Sequence, residues 1–130
     1  METSAVNASH LKNARTLVMI VILVMLGQAS TGLSAAYGSN IASHTYTAQL
    51  GLVLCIAIVA LVMMSKTDDS KVKGMSFGLL TAWVIQYGMG EMFGSMSWIA
   101  HVHAVIAMGL LLHASALMRA LPASAAANEA

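Results

Sequence analysis

Long apolar runs alternate with short polar segments along this chain. Four of the runs, residues 17–37, 46–64, 75–93 and 98–118, contain no Lys, Arg or Asp, and Glu91 is their only acidic residue. A helix needs about 20 apolar residues to cross the hydrocarbon core of a bilayer. None of the runs has the polar face that a surface helix of a soluble protein presents to water. The pattern therefore predicts four membrane-spanning helices.

The composition supports the same interpretation. The 130 residues are 58% hydrophobic and 8% charged, whereas soluble domains carry about 25% charged residues. The six basic residues are too few and too scattered to form a phosphate-binding surface, which excludes a nucleic-acid partner. The lipid bilayer is thus the first partner that the sequence predicts.

The basic residues predict how the helices are oriented. They precede the first run, separate the second from the third, and follow the fourth, so all of them fall on one side of the bilayer. The positive-inside rule makes that side cytoplasmic, and we expect an integral protein of a prokaryotic-type inner membrane. The residues concerned are Lys12, Arg15, Lys66, Lys71, Lys73 and Arg119.

The loops complete the predicted fold. The two outer loops, residues 38–45 and 94–97, are short, and short loops join antiparallel neighbours in helix bundles. We expect an all-α, up-down-up-down four-helix bundle with both termini in the cytoplasm. In this interpretation residues 1–130 form a single membrane domain, with flexible tails at 1–10 and 122–130.

Histidines supply the candidate chemistry. His44 lies just before the second run, and His101 and His103 lie near the start of the fourth. Both helices start on the predicted outer side, so these imidazoles share a similar depth near the outer face. Ionisable groups at membrane depth mark functional sites by default. Helices two and four are diagonal partners in the bundle, so two facing imidazoles could ligate a haem iron from both sides.

His101 and His103 compete for the role of second ligand. They are two positions apart, about 200° around a helix, so they cannot both face the core. A flat macrocycle needs small residues beneath its ligands, and these are found as Ala107 on the fourth run and as Ala48 and Gly51 on the second. That pattern favours His103, with His101 as the alternative.

A short pattern occurs twice in the chain. It consists of Gln, three residues, Gly, a loop, and then His followed four positions later by Ala, which suggests a tandem repeat of two hairpins. The glycines could provide space for a porphyrin, although small residues also permit close helix packing without any cofactor. The glutamines could hydrogen-bond across helices or touch a bound ligand. The two copies are Gln28, Gly32 and His44, and Gln86, Gly90 and His103.

These motifs resemble one four-helix half of the haem A synthase family, and also related small four-helix haem-binding-like membrane proteins. The resemblance covers residues 23–118 and implies haem ligands at the outer ends of the second and fourth helices. The Glu and Arg that flank the first ligand in the synthases are replaced by Ile41 and Thr45, and Ala100 and Ala104 stand at the equivalent positions of the second hairpin. The paired-cysteine loop is also absent. The resemblance therefore implies haem binding without haem A synthesis.

Our first functional hypothesis is a small b-type cytochrome that binds one haem b through His44 and His103. Two filled axial positions leave no open site for catalysis, so electron transfer, or a place in a membrane redox complex, is expected rather than an enzyme. The main alternative is a cofactor-free accessory subunit of a larger membrane complex, with its histidines at an interface. Other membrane redox subunits or further copies of this chain are the expected protein partners.

A second alternative is copper binding. Met89, Met92 and Met96 approach the predicted outer face near the histidines, and thioether and imidazole ligands suit Cu(I). Methionine is also a common filler of apolar interiors. His113 lies deeper and could bond a carbonyl, a water or a partner subunit. Glu91 could orient a ligand imidazole or remain a solvated residue at a helix end.

Overall fold

The described residues form four helices and no strand. The computed structural model describes residues 6–92 and 97–122, and it confirms the all-α class. Most of the predicted outer loop at 94–97 and nearly all of the predicted C-terminal tail lie outside the described residues. The helices are α1 (Ala8–Ala36), α2 (Ala42–Met64), α3 (Ser70–Glu91) and α4 (Ser97–Ala120).

Two of the helices begin at side chains that cap them. Asn7 precedes α1 and its side-chain oxygen accepts a hydrogen bond from the His10 N–H. Asp69 precedes α3 and its carboxylate accepts from the N–H groups of Lys71 and Val72. Such caps satisfy N–H groups that have no partner inside the helix. Both helices therefore begin in polar sequence, ahead of the apolar runs.

The first helix ends in a glycine turn. Gly38 has φ +94°, a left-handed conformation that side chains disfavour. Its N–H donates to Ala35 O at 3.0 Å, and the Ser39 N–H donates to Ser34 O at 3.0 Å. This is the Schellman pattern, which satisfies carbonyls at a helix end. The second helix is followed by Lys66, a non-glycine residue with φ +57°.

Three of the described helices are long and apolar enough to cross a membrane. They are α1, α2 and α4, which have mean hydropathies of 2.0, 2.4 and 1.6 over their best windows. The third helix falls below this level because Lys71 and Lys73 lie near its start and Gln86 and Glu91 near its end. That α3 also crosses the bilayer remains a prediction.

The four helices pack in a closed ring. Each helix contacts its neighbours in the chain, and α1 also contacts α4, while the diagonal pairs make no backbone contact within residues 6–92 and 97–122. The Asn7 N–H donates to Ser65 O at 2.8 Å, which joins the start of α1 to the end of α2. The Arg15 guanidinium donates to Met118 O at 2.6 Å and Leu121 O at 2.7 Å, at the end of α4.

These contacts correct the predicted N-terminal tail. A flexible segment was expected through residue 10, but α1 already begins at Ala8, and Leu11 is buried. Because Asn7 both caps α1 and bonds the end of α2, the polar residues before the first apolar run belong to the bundle. Residues 8–10 of the segment expected to be a flexible tail thus lie within α1, and Asn7 caps it.

The packed core occupies only one half of the bundle. It is the half that contains the start of α1 and the ends of α2 and α4, and below we refer to it as the basic end, because all six Lys and Arg residues lie there. Many large apolar side chains elsewhere are exposed, as expected for helices that face lipid. The core side chains include Val18, Val21, Cys55, Ile58, Val62, Leu79, Ala114 and Leu117.

Candidate functional site

A cavity of about 570 Å³ opens in the half of the bundle opposite the basic end. All four helices line it, and most of its wall is apolar. Its volume lies within the usual range for small-molecule sites, about 300–1,000 Å³. Eight of the ten residues predicted to bind a cofactor line this cavity. They are Gln28, Gly32, His44, Ala48, Gln86, Gly90, His103 and Ala107.

Trp83 borders the cavity on the side of the packed core. Its side chain is 5% exposed, and its indole N–H donates to Ala48 O at 3.0 Å. The six-membered part of the indole lies against Gly51, where an added Cβ would collide with it. The small size of Gly51 therefore admits a tryptophan from the neighbouring helix.

This packing places one predicted site residue, Gly51, outside the cavity lining. Gly51 was expected to leave room for a macrocycle below His44, but it does not line the cavity. The space beside Gly51 is filled by Trp83, which is supplied by α3. Because the filling side chain comes from another helix, the apolar stripe of α2 alone could not have revealed it.

Two imidazoles meet at the cavity. The ring centroids of His44 and His103 are 6.3 Å apart, and the ring planes are inclined by 54°. His44 comes from α2 and His103 from α4, the two helices that make no backbone contact with each other in the described residues. The pair therefore bridges the bundle diagonally. Both side chains are partly buried.

His101 is placed differently. It is exposed and does not line the cavity, whereas His103 does. The two residues point to different sides of α4 because they are about 200° apart around the helix. The structure thus brings His103, and not the alternative His101, together with His44.

The orientation of His44 follows from its hydrogen bonds. Its Nδ1 lies 3.1 Å from Gln28 O and 3.3 Å from Thr31 Oγ1. A carbonyl oxygen can only accept, so Nδ1 carries the proton and donates to Gln28 O. Nε2 then keeps its lone pair, which is the form of histidine that binds a metal. Thr31 was not predicted as a site residue, although its spacing from Gln28 places both on one helix face.

The two glutamines make equivalent contacts. The side-chain amide of Gln28 donates to His44 O at 2.8 Å, and that of Gln86 donates to His103 O at 2.8 Å. Gln28 also donates to Thr47 Oγ1 at 2.9 Å. Each glutamine thus bonds the helix turn that bears an imidazole, within its own hairpin. Gln86 Oε1 is buried and accepts no hydrogen bond from residues 6–92 and 97–122.

The glycines of the repeated pattern lie against the imidazoles. A Cβ added to Gly32 would stand 2.9 Å from His44 Cε1, closer than side chains tolerate. A Cβ added to Gly90 would stand 3.7 Å from His103 Cε1, an ordinary contact. Gly32 therefore makes room for the histidine ring. In the first hairpin, then, the conformation of the imidazole requires a glycine, whereas the contact at Gly90 would also admit a small side chain.

The remaining candidates lie at or outside the margin of the cavity. Glu91 is exposed and lines it. His113 lies deeper, where its Nε2–H donates to Met75 O at 2.8 Å across the α3–α4 contact, one of the roles expected for it. Met89 and Met92 do not line the cavity, and Met96 lies outside the described residues.

The donor set at the cavity constrains what could be bound there. Within the described part of the chain, no group of three or more His, Cys, Asp or Glu side chains could hold a metal ion. Protein sites for zinc supply three or four side-chain ligands. Beside the two imidazoles, the cavity is lined by the carboxylate of Glu91 and by the thioethers of Met25 and Met108. A metal already held in a macrocycle needs only the two axial ligands.

Comparisons of the chain with protein-family models, with curated proteins and with solved structures give no match.

Proposed function

We propose that this chain is a membrane-embedded, b-type cytochrome-like protein that binds one haem b through His44 and His103. The observation that carries the proposal is the imidazole pair, which reaches one cavity from two helices that are not neighbours. The mostly apolar wall suits the body of a porphyrin. The small residues Ala48 and Ala107 also line it.

The spacing of the two rings supports axial ligation. Bonds from a metal to imidazole nitrogen are about 2.0–2.1 Å long. Two rings that bind one ion from opposite sides then have centroids about 6 Å apart. The separation of 6.3 Å between His44 and His103 agrees with that value. The rings are at the right distance before any cofactor is considered.

The surroundings of His44 supply what an axial ligand needs. Histidine ligands usually donate their second ring N–H to a carbonyl or carboxylate, which fixes the ring and raises its basicity. The bond from Nδ1 to Gln28 O fulfils that role and leaves Nε2 for the iron. The Gln28 and Gln86 amides hold the backbone of the two ligand turns.

A bound haem would supply a one-electron redox couple. His44 and His103 would both hold the iron, and with no position left open the haem would support electron transfer rather than oxygen chemistry. The residues of this chain set the burial of the cofactor and the hydrogen bonding of its ligands, and these influence its potential. We expect the role to be that of an electron carrier or a haem-bearing subunit of a membrane redox complex.

The membrane topology is part of the proposal. The basic residues lie at the end of the bundle away from the cavity, which is the arrangement expected if that end is cytoplasmic. All four helices then cross the membrane, with both termini inside and the haem near the outer face. The proposed location is a prokaryotic-type inner membrane.

The test is a reduced-minus-oxidised visible spectrum of the full chain, purified in detergent after expression with adequate haem. We expect the sharp α band of low-spin, six-coordinate haem. His44→Ala and His103→Ala should each abolish that band. His101→Ala is the matched control, because it removes an imidazole of the same helix that does not line the cavity.

Two outcomes would overturn the proposal. One is a well-folded, fully helical chain that binds no haem, which would favour the cofactor-free accessory subunit. The other is an unchanged spectrum in both His44→Ala and His103→Ala. Metal analysis of the same preparations detects copper. Met89 and Met92, two of the methionines considered for copper, do not line the cavity, whereas Met25 and Met108 do.

A further inference from the structure

The cavity is lined by an acidic side chain, Glu91, and by no Lys or Arg. The six basic residues of the chain all belong to the described segments and lie at the basic end, and Arg15 is already engaged with the end of α4. The exposed His101, near the start of α4, does not line the cavity either.

Helix dipoles do not change this balance. A helix carries about half a positive charge at its N-terminus and half a negative charge at its C-terminus. The cavity lies between the C-terminal ends of α1 and α3 and the N-terminal ends of α2 and α4. The four partial charges cancel in pairs. The carboxylate of Glu91 is therefore the net formal charge at the mouth of the cavity.

This charge distribution opposes one part of the proposed ligand. Haem b has a flat apolar body, but its rim bears two carboxylates that are ionised at neutral pH. Carboxylates at low dielectric need a cation or several hydrogen-bond donors, and a second carboxylate nearby is unfavourable. The cavity offers the body apolar walls and two imidazoles, and it offers the rim only Glu91 as a charged neighbour.

We infer, resting on the proposed function, that the cavity recognises the neutral, lipophilic body of a metalloporphyrin, and that Glu91 selects against ligands whose carboxylates are ionised at the cavity mouth. Haem b would therefore bind with its carboxylates turned to water, away from Glu91. In this inference Glu91 is a specificity-determining residue that touches no iron ligand.

The experiment compares two ligands on the detergent-purified full chain, stripped of haem. The ligands are iron protoporphyrin IX and its dimethyl ester, which share the same macrocycle, while esterification neutralises the two carboxylates of the rim and makes it more lipophilic. Affinity is measured by titration of the low-spin spectrum. We expect the wild-type chain to bind the ester at least as tightly as the diacid. A preference of tenfold or more for the diacid would overturn the inference.

Measuring the affinities of both ligands for the wild-type chain and for Glu91→Gln separates the effect of charge from the greater lipophilicity of the ester. Because Glu91 is exposed and therefore screened, its removal should raise diacid affinity about two- to fivefold. The ester affinity should not change, so the coupling is specific to the ligand charge. Glu91→Asp keeps the charge and should leave both affinities near wild type. Asp68→Asn, at the basic end, is the control for overall charge and should affect neither ligand.

The two proposals fail in different ways. If neither porphyrin binds through the histidine pair, the haem function fails and the inference fails with it. If both bind but Glu91→Gln weakens the diacid, or shifts both ligands equally, the haem function stands and the role of Glu91 is wrong.

Discussion

Replacing Gly51 with alanine tests the wall of the cavity without any cofactor. An ideal Cβ on Gly51 would stand 2.6 Å from Trp83 Cε2, and it would come still closer to Cζ2 and Cη2 of the same ring. Trp83 is 5% exposed and its N–H bonds Ala48 O, so the indole has little freedom to retreat. The added methyl group must displace the ring or separate α2 from α3.

The size of the effect follows from these contacts. Forcing an extra methyl group into a packed core costs about 1–3 kcal/mol. Loss of the hydrogen bond from Trp83 to Ala48 adds about 0.5–1.5 kcal/mol. The usual gain from replacing a helical glycine by alanine, about 0.5–1 kcal/mol, offsets part of this. Gly27→Ala is the matched control, because no heavy atom lies within 4 Å of its added Cβ. The free energies of unfolding of the two variants should therefore differ by roughly 2–4 kcal/mol.

The assay is reversible unfolding of the full chain in mixed detergent micelles, followed by far-UV circular dichroism. The cost of Gly51→Ala should fall by about 1 kcal/mol or more in a Trp83→Phe background, because phenylalanine lacks the outer ring atoms that meet the new Cβ. Equal stability of Gly51→Ala and Gly27→Ala would refute the packing of Trp83 against α2. The cavity would then have a different wall on the side of the core.

Three further predictions concern helix ends and the first imidazole. Lys66→Gly should raise the free energy of unfolding by about 1 kcal/mol, because glycine adopts a left-handed backbone without strain. Gly38→Ala should lower it by about the same amount, and both changes should appear as shifts of the thermal unfolding temperature. Arg15→Gln should lower the free energy of unfolding by about 1–3 kcal/mol, because the carbonyls at the end of α4 lose their donor. Replacing an exposed lysine with glutamine is the control, and it should lower the same free energy by less than about 0.5 kcal/mol. Gly32→Ala should weaken haem reconstitution about tenfold or more by displacing the imidazole it faces, whereas Gly88→Ala, with open space at its Cβ, should leave the titration unchanged.

Much of the helical fold could be predicted from the sequence, but the helix starts could not. Apolar runs report where hydrocarbon surrounds a helix, and they say little about where its backbone bonding begins. Asn7 and Asp69 start α1 and α3 in polar sequence, several residues before the predicted spans. These capping side chains were not identified as helix starts from the sequence. Their use depends on contacts such as Asn7 with Ser65, which join distant parts of the chain.

The candidate site likewise has some features that the sequence of one helix predicts and others that depend on packing between helices. Which of His101 and His103 faces the cavity depends on the period of one helix, and that period can be read from the sequence. Which side chain fills the space beside Gly51 depends on how α2 and α3 are aligned, and no pattern within one helix contains that alignment. Trp83 occupies the space for that reason. Thr31 likewise lies against His44 only because α1 and α2 pack together.

Each imidazole is fixed within its own hairpin, and this has a consequence for the order of assembly. A chain that has inserted only α1 and α2 can already form the contact of Gln28 with His44, but it has no enclosed cavity. The binding space comes into being when α3 and α4 join and bring His103 opposite. A ligand held by both rings would then be captured last, and it would tie the two hairpins together with a stabilisation that increases with its concentration.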